Sequence, residues 1–100
     1  MIEQTFGPAY GQGINVASVT TVSAASAVGL GSKSLVVTNT GSTNPVYLRT
    51  GLSTAVATTA DYCLLPLAQV SISKPQDHTH IAYITSTSTS SLHVIPGEGF

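Results

Sequence analysis

Apolar residues in this chain occur in short runs that are separated by turn-forming residues. Residues 68–74 show the clearest pattern, because Val70 and Ile72 alternate with polar side chains and so share one face of an extended segment. Residues 46–50 alternate in the same way, and residues 34–39 form a compact apolar run. Such patterns are typical of β-strands and not of helices.

Two pairs of these strands are predicted to form antiparallel hairpins. Residues 40–45 contain Gly, Asn and Pro and connect the run at 34–39 to the strand at 46–50. Farther along, five consecutive Ser and Thr residues at 86–90 connect a strand at 80–85 to another at 91–95. We expect both connections to be hairpin loops.

The first third of the chain has weaker patterns. Residues 1–13 hold several Gly and Pro residues without periodicity, which predicts an extended N-terminal arm. Residues 14–22 favour a strand, although their valines are three residues apart and not two. Residues 23–30 are rich in Ala and Ser and are predicted to form a short helical turn. Residues 55–60 are predicted to be an extended segment at a sheet edge.

Short strands that recur along the chain between turn residues indicate an all-β fold. We predict a single domain over residues 14–100, a small antiparallel β-sandwich or jelly-roll-like barrel, preceded by the arm at 1–13. At 100 residues the chain is long enough for one hydrophobic core. The predicted core consists of Leu35, Val37, Val46, Leu48, Leu65, Val70, Ile72, Ile81, Ile84, Leu92 and Val94.

Charged residues are scarce, at 7% of the chain against roughly 25% in an average soluble domain. Three basic residues cannot form the positive surface that nucleic acids require, so a nucleic-acid partner is excluded. The sequence contains no long apolar stretch, and neither a membrane span nor a signal peptide is expected.

The few charges also affect how copies of the protein meet each other. More than a quarter of the residues are serine or threonine, so the surface must be hydrated mainly through hydroxyl and backbone groups. Such a surface gives little electrostatic repulsion between molecules. We therefore expect the working form to be packed against other proteins.

Three histidines are the main candidates for a metal site. His78 and His80 would share one side of a strand, and His93 or Asp77 could add a third ligand for zinc. The spacing lacks a fourth ligand at a familiar distance, and a polar loop that leads into a strand explains the pair equally simply. No metal and no cofactor are therefore expected.

Other catalytic patterns are weaker. Cys63 could act as a nucleophile, but a single cysteine beside two leucines is more often a small buried apolar residue. Residues 29–34 resemble a phosphate-binding loop without matching its spacing, and no Gly-x-Ser-x-Gly motif is present. The four carboxylates (Glu3, Asp61, Asp77 and Glu98) form no recognisable pair in the sequence. An enzyme is the least supported class.

The aromatic residues point to protein contacts. Phe6, Tyr10 and Phe100 lie in the terminal segments, outside every predicted strand. Large aromatic side chains are costly to leave in water and are favoured in interfaces, so one or both terminal segments are predicted to dock on a neighbouring subunit. The alternative is that they fold back over an open end of the domain's own core.

Three stretches carry a resemblance to a known group of proteins. They are Leu35–Asn39 with Asn44–Gly51, Ala57–Asp61, and His80–Thr85 leading to Leu92–Gly99. Over about two-thirds of its length the chain resembles small structural proteins of tailed-phage virions. The histidines near residue 80 are not a feature of that group, and residues 1–33 match no family.

The resemblance implies a β-sandwich virion protein without catalytic residues. Its expected role is capsid decoration, as a dimer or trimer that binds the major capsid protein on the outside of the shell after synthesis in the host cytoplasm. The alternative is a tail or fibre module that adheres to host glycans, for which Tyr47, Tyr62 and Tyr83 are the available aromatic residues.

Overall fold

A computed structural model describes residues 7–8, 11, 13–28, 34–75 and 77–98. In this part of the chain every regular element is a β-strand, which confirms the predicted all-β class. The strands are β1 (Gly7–Pro8), β2 (Ile14–Val19), β3 (Ala24–Ala27), β4 (Ser34–Asn39), β5 (Val46–Gly51), β6 (Tyr62–Leu64), β7 (Gln69–Ser73), β8 (His80–Thr85) and β9 (Ser90–Glu98).

The strands form two sheets in which every pairing is antiparallel. The first sheet has the order β1-β9-β4-β7, and β2 also pairs with β9; the second has the order β3-β8-β5-β6. From β2 to β9 the chain changes sheet at every connection except the one between β5 and β6. This strand order is that of a jelly roll, as the sequence pattern predicts.

Both predicted hairpins are wrong, although all four of their strands exist. β4 pairs with β7 and β9, whereas β5 pairs with β6 and β8. Likewise β8 and β9 lie in different sheets, so residues 86–89 connect the sheets. The physical reason is that each strand has one apolar face, and two facing sheets bury those faces against each other. A local pattern defines a strand but not its partner.

The predicted helical turn at residues 23–30 is also wrong, since Ala24–Ala27 form β3. Each residue of β3 is paired with β8, from Ala24 opposite Tyr83 to Ala27 opposite His80. Ser26 Oγ also lies 2.5 Å from the Tyr83 hydroxyl. These cross-strand contacts override the helix propensity of alanine, which is only a weak preference.

The unusual valine spacing in β2 has a structural cause. The pairing of β2 with β9 shifts register between Val16 and Val19, as it does at a β-bulge. The extra residue allows Val19 to be fully buried and Val16 to pack against the core although they are three residues apart. Val22, the third valine of the series, lies beyond the strand and is exposed.

The core lies between the two sheets, and seven of the predicted members are buried in it. Val70 and Ile72 are half-buried and pack against it. The prediction that Leu65 belongs to the core is wrong, because β6 ends at Leu64 and Leu65 is 63% exposed. Ile84 is half-buried and paired with Tyr47 on the outer face, since Ile81 and Ile84 are three apart on one strand and face opposite sides. The members missed are Val19, Val28, Leu64 and Tyr83.

The connection between β5 and β6 reaches the far edge of its own sheet. The Ala57 amide donates a 2.8 Å hydrogen bond to Oγ of Ser23, which immediately precedes edge strand β3. Ala57 is buried. Ala82 is also buried, although it lies in the central strand β8 and its side chain is on the outer face of the sheet. We call residues 52–61, which connect β5 to β6, the strap. Residues 55–60, which are predicted to be an extended segment at a sheet edge, form no strand and are part of the strap.

Candidate interaction surface

The predicted interface residues Phe6, Tyr10 and Phe100 lie outside the described residues. Residues close to them in the sequence are described: Gly7 and Pro8 form β1, which pairs with the last residues of β9. Gly7 lies opposite Glu98 and Pro8 lies opposite Gly97. β1 and the last residues of β9 therefore lie side by side in the first sheet.

The three histidines do not share a site. His93 lies on the outer side of the first sheet, where β9 pairs with β2 and β4. His78 and His80 lie at the second sheet, where Nδ1 of His78 is 2.9 Å from Thr50 Oγ1. No group of three His, Cys, Asp or Glu side chains suited to a metal ion occurs among the described residues. The zinc site considered from the sequence is thus not assembled by these histidines.

Cys63 is exposed, contrary to the expectation of a buried residue. In the short strand β6 it lies next to Leu64, which faces the core, so the cysteine faces the opposite side. Nothing in a single sequence distinguishes which of two adjacent apolar residues faces inward when the strand is three residues long.

Of the tyrosines that could form a glycan platform, Tyr83 is buried in the core. Tyr62 is half exposed and Tyr47 is half-buried. Asp61 supports the strap: its Oδ2 accepts a 2.8 Å hydrogen bond from the Thr58 amide, and its Oδ1 lies 3.9 Å from Arg49 Nε. No pocket opens on the described part of the surface.

A buried asparagine organises one end of the sandwich. Asn39 is fully buried, and its Nδ2 donates 3.0 Å hydrogen bonds to the carbonyls of Asn44 and Leu64. Its Oδ1 accepts hydrogen bonds from the Gly41 amide (2.9 Å) and from Ser90 Oγ (3.0 Å). All four hydrogen-bonding positions of the side chain are therefore used. The side chain of this one residue therefore joins the connection at 40–45 to the end of β6 and the start of β9.

Gly41 is needed in this cluster because the chain passes close to β9. A Cβ at this position would lie 2.3 Å from Ser90 Oγ, a distance that real Cβ contacts do not show. In the sequence, Asn39 is recognisable only as the end of a strand and Gly41 only as part of a turn. The available signal was an asparagine that directly follows an apolar run, at a position where an inward-facing side chain is expected to be apolar.

The same cluster fixes the connection between β6 and β7. The Leu67 amide is shared between the carbonyls of Asn39 (2.9 Å) and Gly41 (3.2 Å). Leu67 has a φ of 62°, which is uncommon for a residue other than glycine, and its side chain is 70% exposed. The hydrogen bonds of the Leu67 backbone therefore keep its side chain exposed to solvent.

Tyr62, Leu65 and Leu67 together form what we call the apolar edge, at 50%, 63% and 70% exposure. Tyr62 lies in β6, and Leu65 and Leu67 lie in the connection from β6 to β7. These two strands are the outermost strands on one side of the two sheets. No charged residue occurs between positions 62 and 73. Exposed apolar residues in an uncharged setting are characteristic of protein interaction sites.

No protein-family model matches the sequence, and no curated protein matches it either. Among the described residues, no helix is present that is long and apolar enough to span a membrane.

Proposed function

We propose that this protein is a structural component of a tailed-phage virion that binds the outside of the capsid shell and stabilises it. The partner is the major capsid protein, and the protein acts as a homo-oligomer. The resemblance of residues 34–99 to small virion proteins supports this proposal, and so does the jelly roll, a fold that occurs in viral capsid domains. Because one fold serves many functions, the function of this protein depends on its surfaces and not on the fold alone.

The single observation that carries the proposal is the pairing of β1 with β9. It places Gly7, which follows Phe6 in the sequence, opposite Glu98, which precedes Phe100 by two residues. Aromatic side chains supply much of the binding energy of protein interfaces. In this proposal they anchor the protein to the shell, and several weak contacts per oligomer add up to firm attachment.

The scarcity of charge fits the same role. With seven charged residues in the chain, the surface consists mainly of hydroxyl and backbone groups, whose burial at a contact costs less desolvation energy than the burial of charges. A shell covered by such molecules is also free of strong repulsion between neighbouring copies.

The test mixes purified protein with capsid shells of the phage that encodes it. We expect binding at a fixed ratio to the major capsid protein and a higher shell melting temperature by calorimetry. The triple variant Phe6→Ser, Tyr10→Ser, Phe100→Ser should lose binding, whereas the matched variant Tyr62→Ser on the body should keep it. Absence of wild-type binding would refute the proposal, and loss of binding only in Tyr62→Ser would refute the role of the terminal aromatics.

No observation on the described residues favours the glycan-adhesion alternative, since Tyr83 is buried and contributes no exposed ring. Binding of the protein to a glycan array, without binding to shells, would nevertheless support that alternative.

A further inference from the structure

Five of the described strands lie at the edges of the two sheets, and they differ in how they are protected. β1 is two residues long and contains Pro8. β2 carries the register shift between Val16 and Val19, β6 is three residues long, and β3 is four residues long and begins beside the strap. β7 is five residues long and pairs with β4 without any irregularity. It contains no proline and no charge. Proteins usually protect exposed edges with short strands, irregular pairing, prolines or charges, because an unprotected edge pairs with another strand.

The free backbone groups of β7 can be assigned from its pairing with β4. The Ala68 carbonyl accepts a 2.9 Å hydrogen bond from the Asn39 amide, so it points toward β4. Because hydrogen-bonding direction alternates along a strand, Val70 and Ile72 also face β4. The amide and carbonyl groups of Gln69, Ser71 and Ser73 therefore face away from it. All three residues are exposed, and no other described strand pairs with β7.

We propose that β7 pairs antiparallel with β7 of a second copy of this chain, around a two-fold axis beside Ser71. Ser71 then lies opposite Ser71 of the second copy, and Gln69 lies opposite Ser73. Each of these pairs exchanges two hydrogen bonds and uses the outward groups of the edge. The first sheets of two molecules become one continuous sheet. This inference goes beyond the proposed function and holds whichever surface contacts a shell.

The side chains match this register. Val70 of one copy meets Ile72 of the other, and both are only half-buried in the single molecule. Leu67, which is 70% exposed, and the exposed Pro75 flank β7 at its two ends, so antiparallel pairing brings Leu67 of one copy to the same end of the interface as Pro75 of the other. The pairing therefore covers apolar surface that the jelly roll alone leaves in water, and an interface of this kind is self-complementary.

The charges near the edge do not oppose the pairing. Lys74 follows β7 directly, is buried, and its Nζ donates a 3.0 Å hydrogen bond to the His78 carbonyl. In the proposed register it lies opposite Ala68, and Asp77 lies beyond the paired residues. No like charges are brought together, and a net charge of −1 adds little repulsion between the two copies.

The test compares two lysine variants by sedimentation over a range of concentrations. Ser71→Lys puts two ammonium groups opposite each other at the two-fold axis and should raise the dimer dissociation constant about tenfold or more. Asn15→Lys adds the same charge to the exposed face of β2, on the opposite edge of the same sheet, and should leave the constant unchanged. Circular dichroism verifies that both variants are folded.

A second measurement uses the unmodified protein. The Ser71 and Ser73 amides should be protected from hydrogen exchange at concentrations where the dimer forms and exchange freely in the dilute monomer. The Val70 and Ile72 amides, which face β4, should be protected in both. A wild-type protein that stays monomeric, an oligomer unaffected by Ser71→Lys, or a Ser71 amide that exchanges freely in the dimer would each overturn the proposal.

Discussion

At the scale of single residues, two buried serines that differ in whether their hydroxyl is hydrogen-bonded show how much the hydrogen bonds around Asn39 stabilise the fold. Ser90 Oγ lies 3.0 Å from Asn39 Oδ1 and 3.1 Å from the Asn44 carbonyl oxygen, so its single hydroxyl hydrogen is shared between these two acceptors. Ser34 is more completely buried, yet its Oγ has no hydrogen-bond partner in the described part of the chain. The desolvation of a hydroxyl is compensated in the first case and not in the second.

We therefore expect the substitution of alanine to have opposite consequences at the two serines. Ser90→Ala should lower the free energy of unfolding by about 1–3 kcal/mol, because it removes a partner from a buried acceptor. Ser34→Ala, its matched control, should be neutral or slightly stabilising, within about 0.5 kcal/mol. Urea denaturation measures both, and equal losses in the two variants would contradict the assigned roles.

At the scale of elements, the strap depends on one contact with the opposite edge of its sheet. Ser23→Ala removes the acceptor of the Ala57 amide. Loss of a hydrogen bond worth about 1–1.5 kcal/mol should make that amide exchange roughly five- to tenfold faster. Ser53→Ala, an exposed position in the same strap, is the control and should change nothing. Unchanged exchange at Ala57 in Ser23→Ala would mean that the strap is held by other contacts.

The elements also show what could be predicted from the sequence. Strands β4, β5, β7 and β8 follow from their own alternation, because side-chain direction in a strand is a local property. The pairing partners of these strands do not follow from local alternation. Whether two consecutive strands form a hairpin or lie in different sheets depends on which apolar faces meet in the core. β3 was missed for the same reason: Ala24–Ala27 become a strand only because β8 lies beside them.

The candidate surface was predicted only in part. An interaction surface was expected from the scarcity of charge, and the terminal aromatics remain a prediction. The apolar edge was not found, because Leu65 is indistinguishable in sequence from a core leucine until β6 is known to end at Leu64. The role of Asn39 depends on Ser90, a residue that is 51 positions away.

At the scale of the whole molecule, stability should be nearly independent of ionic strength. The protein has seven charged residues, and the contact between Arg49 and Asp61 is a long one in which the Arg49 side chain is 53% exposed. Exposed ion pairs contribute about 0–1 kcal/mol. Raising the NaCl concentration should therefore shift the melting temperature by less than about 4 °C.

Sodium sulfate provides the comparison, because it strengthens apolar burial by exclusion from the protein surface. At equal ionic strength it should raise the melting temperature more than NaCl does. A marked fall of the melting temperature in NaCl would show that ionic contacts, and not packing between the sheets, stabilise this fold.

The pairing of Gly7 with Glu98 determines how the molecule responds to mechanical load. Because β1 and β9 are antiparallel and the chain enters and leaves at the same side of that pair, a pull on its two extremities peels them apart one residue pair at a time. Strands loaded in this way yield at low force, unlike strands that are sheared along their length. A tether through these extremities would therefore separate β1 from β9 at low force.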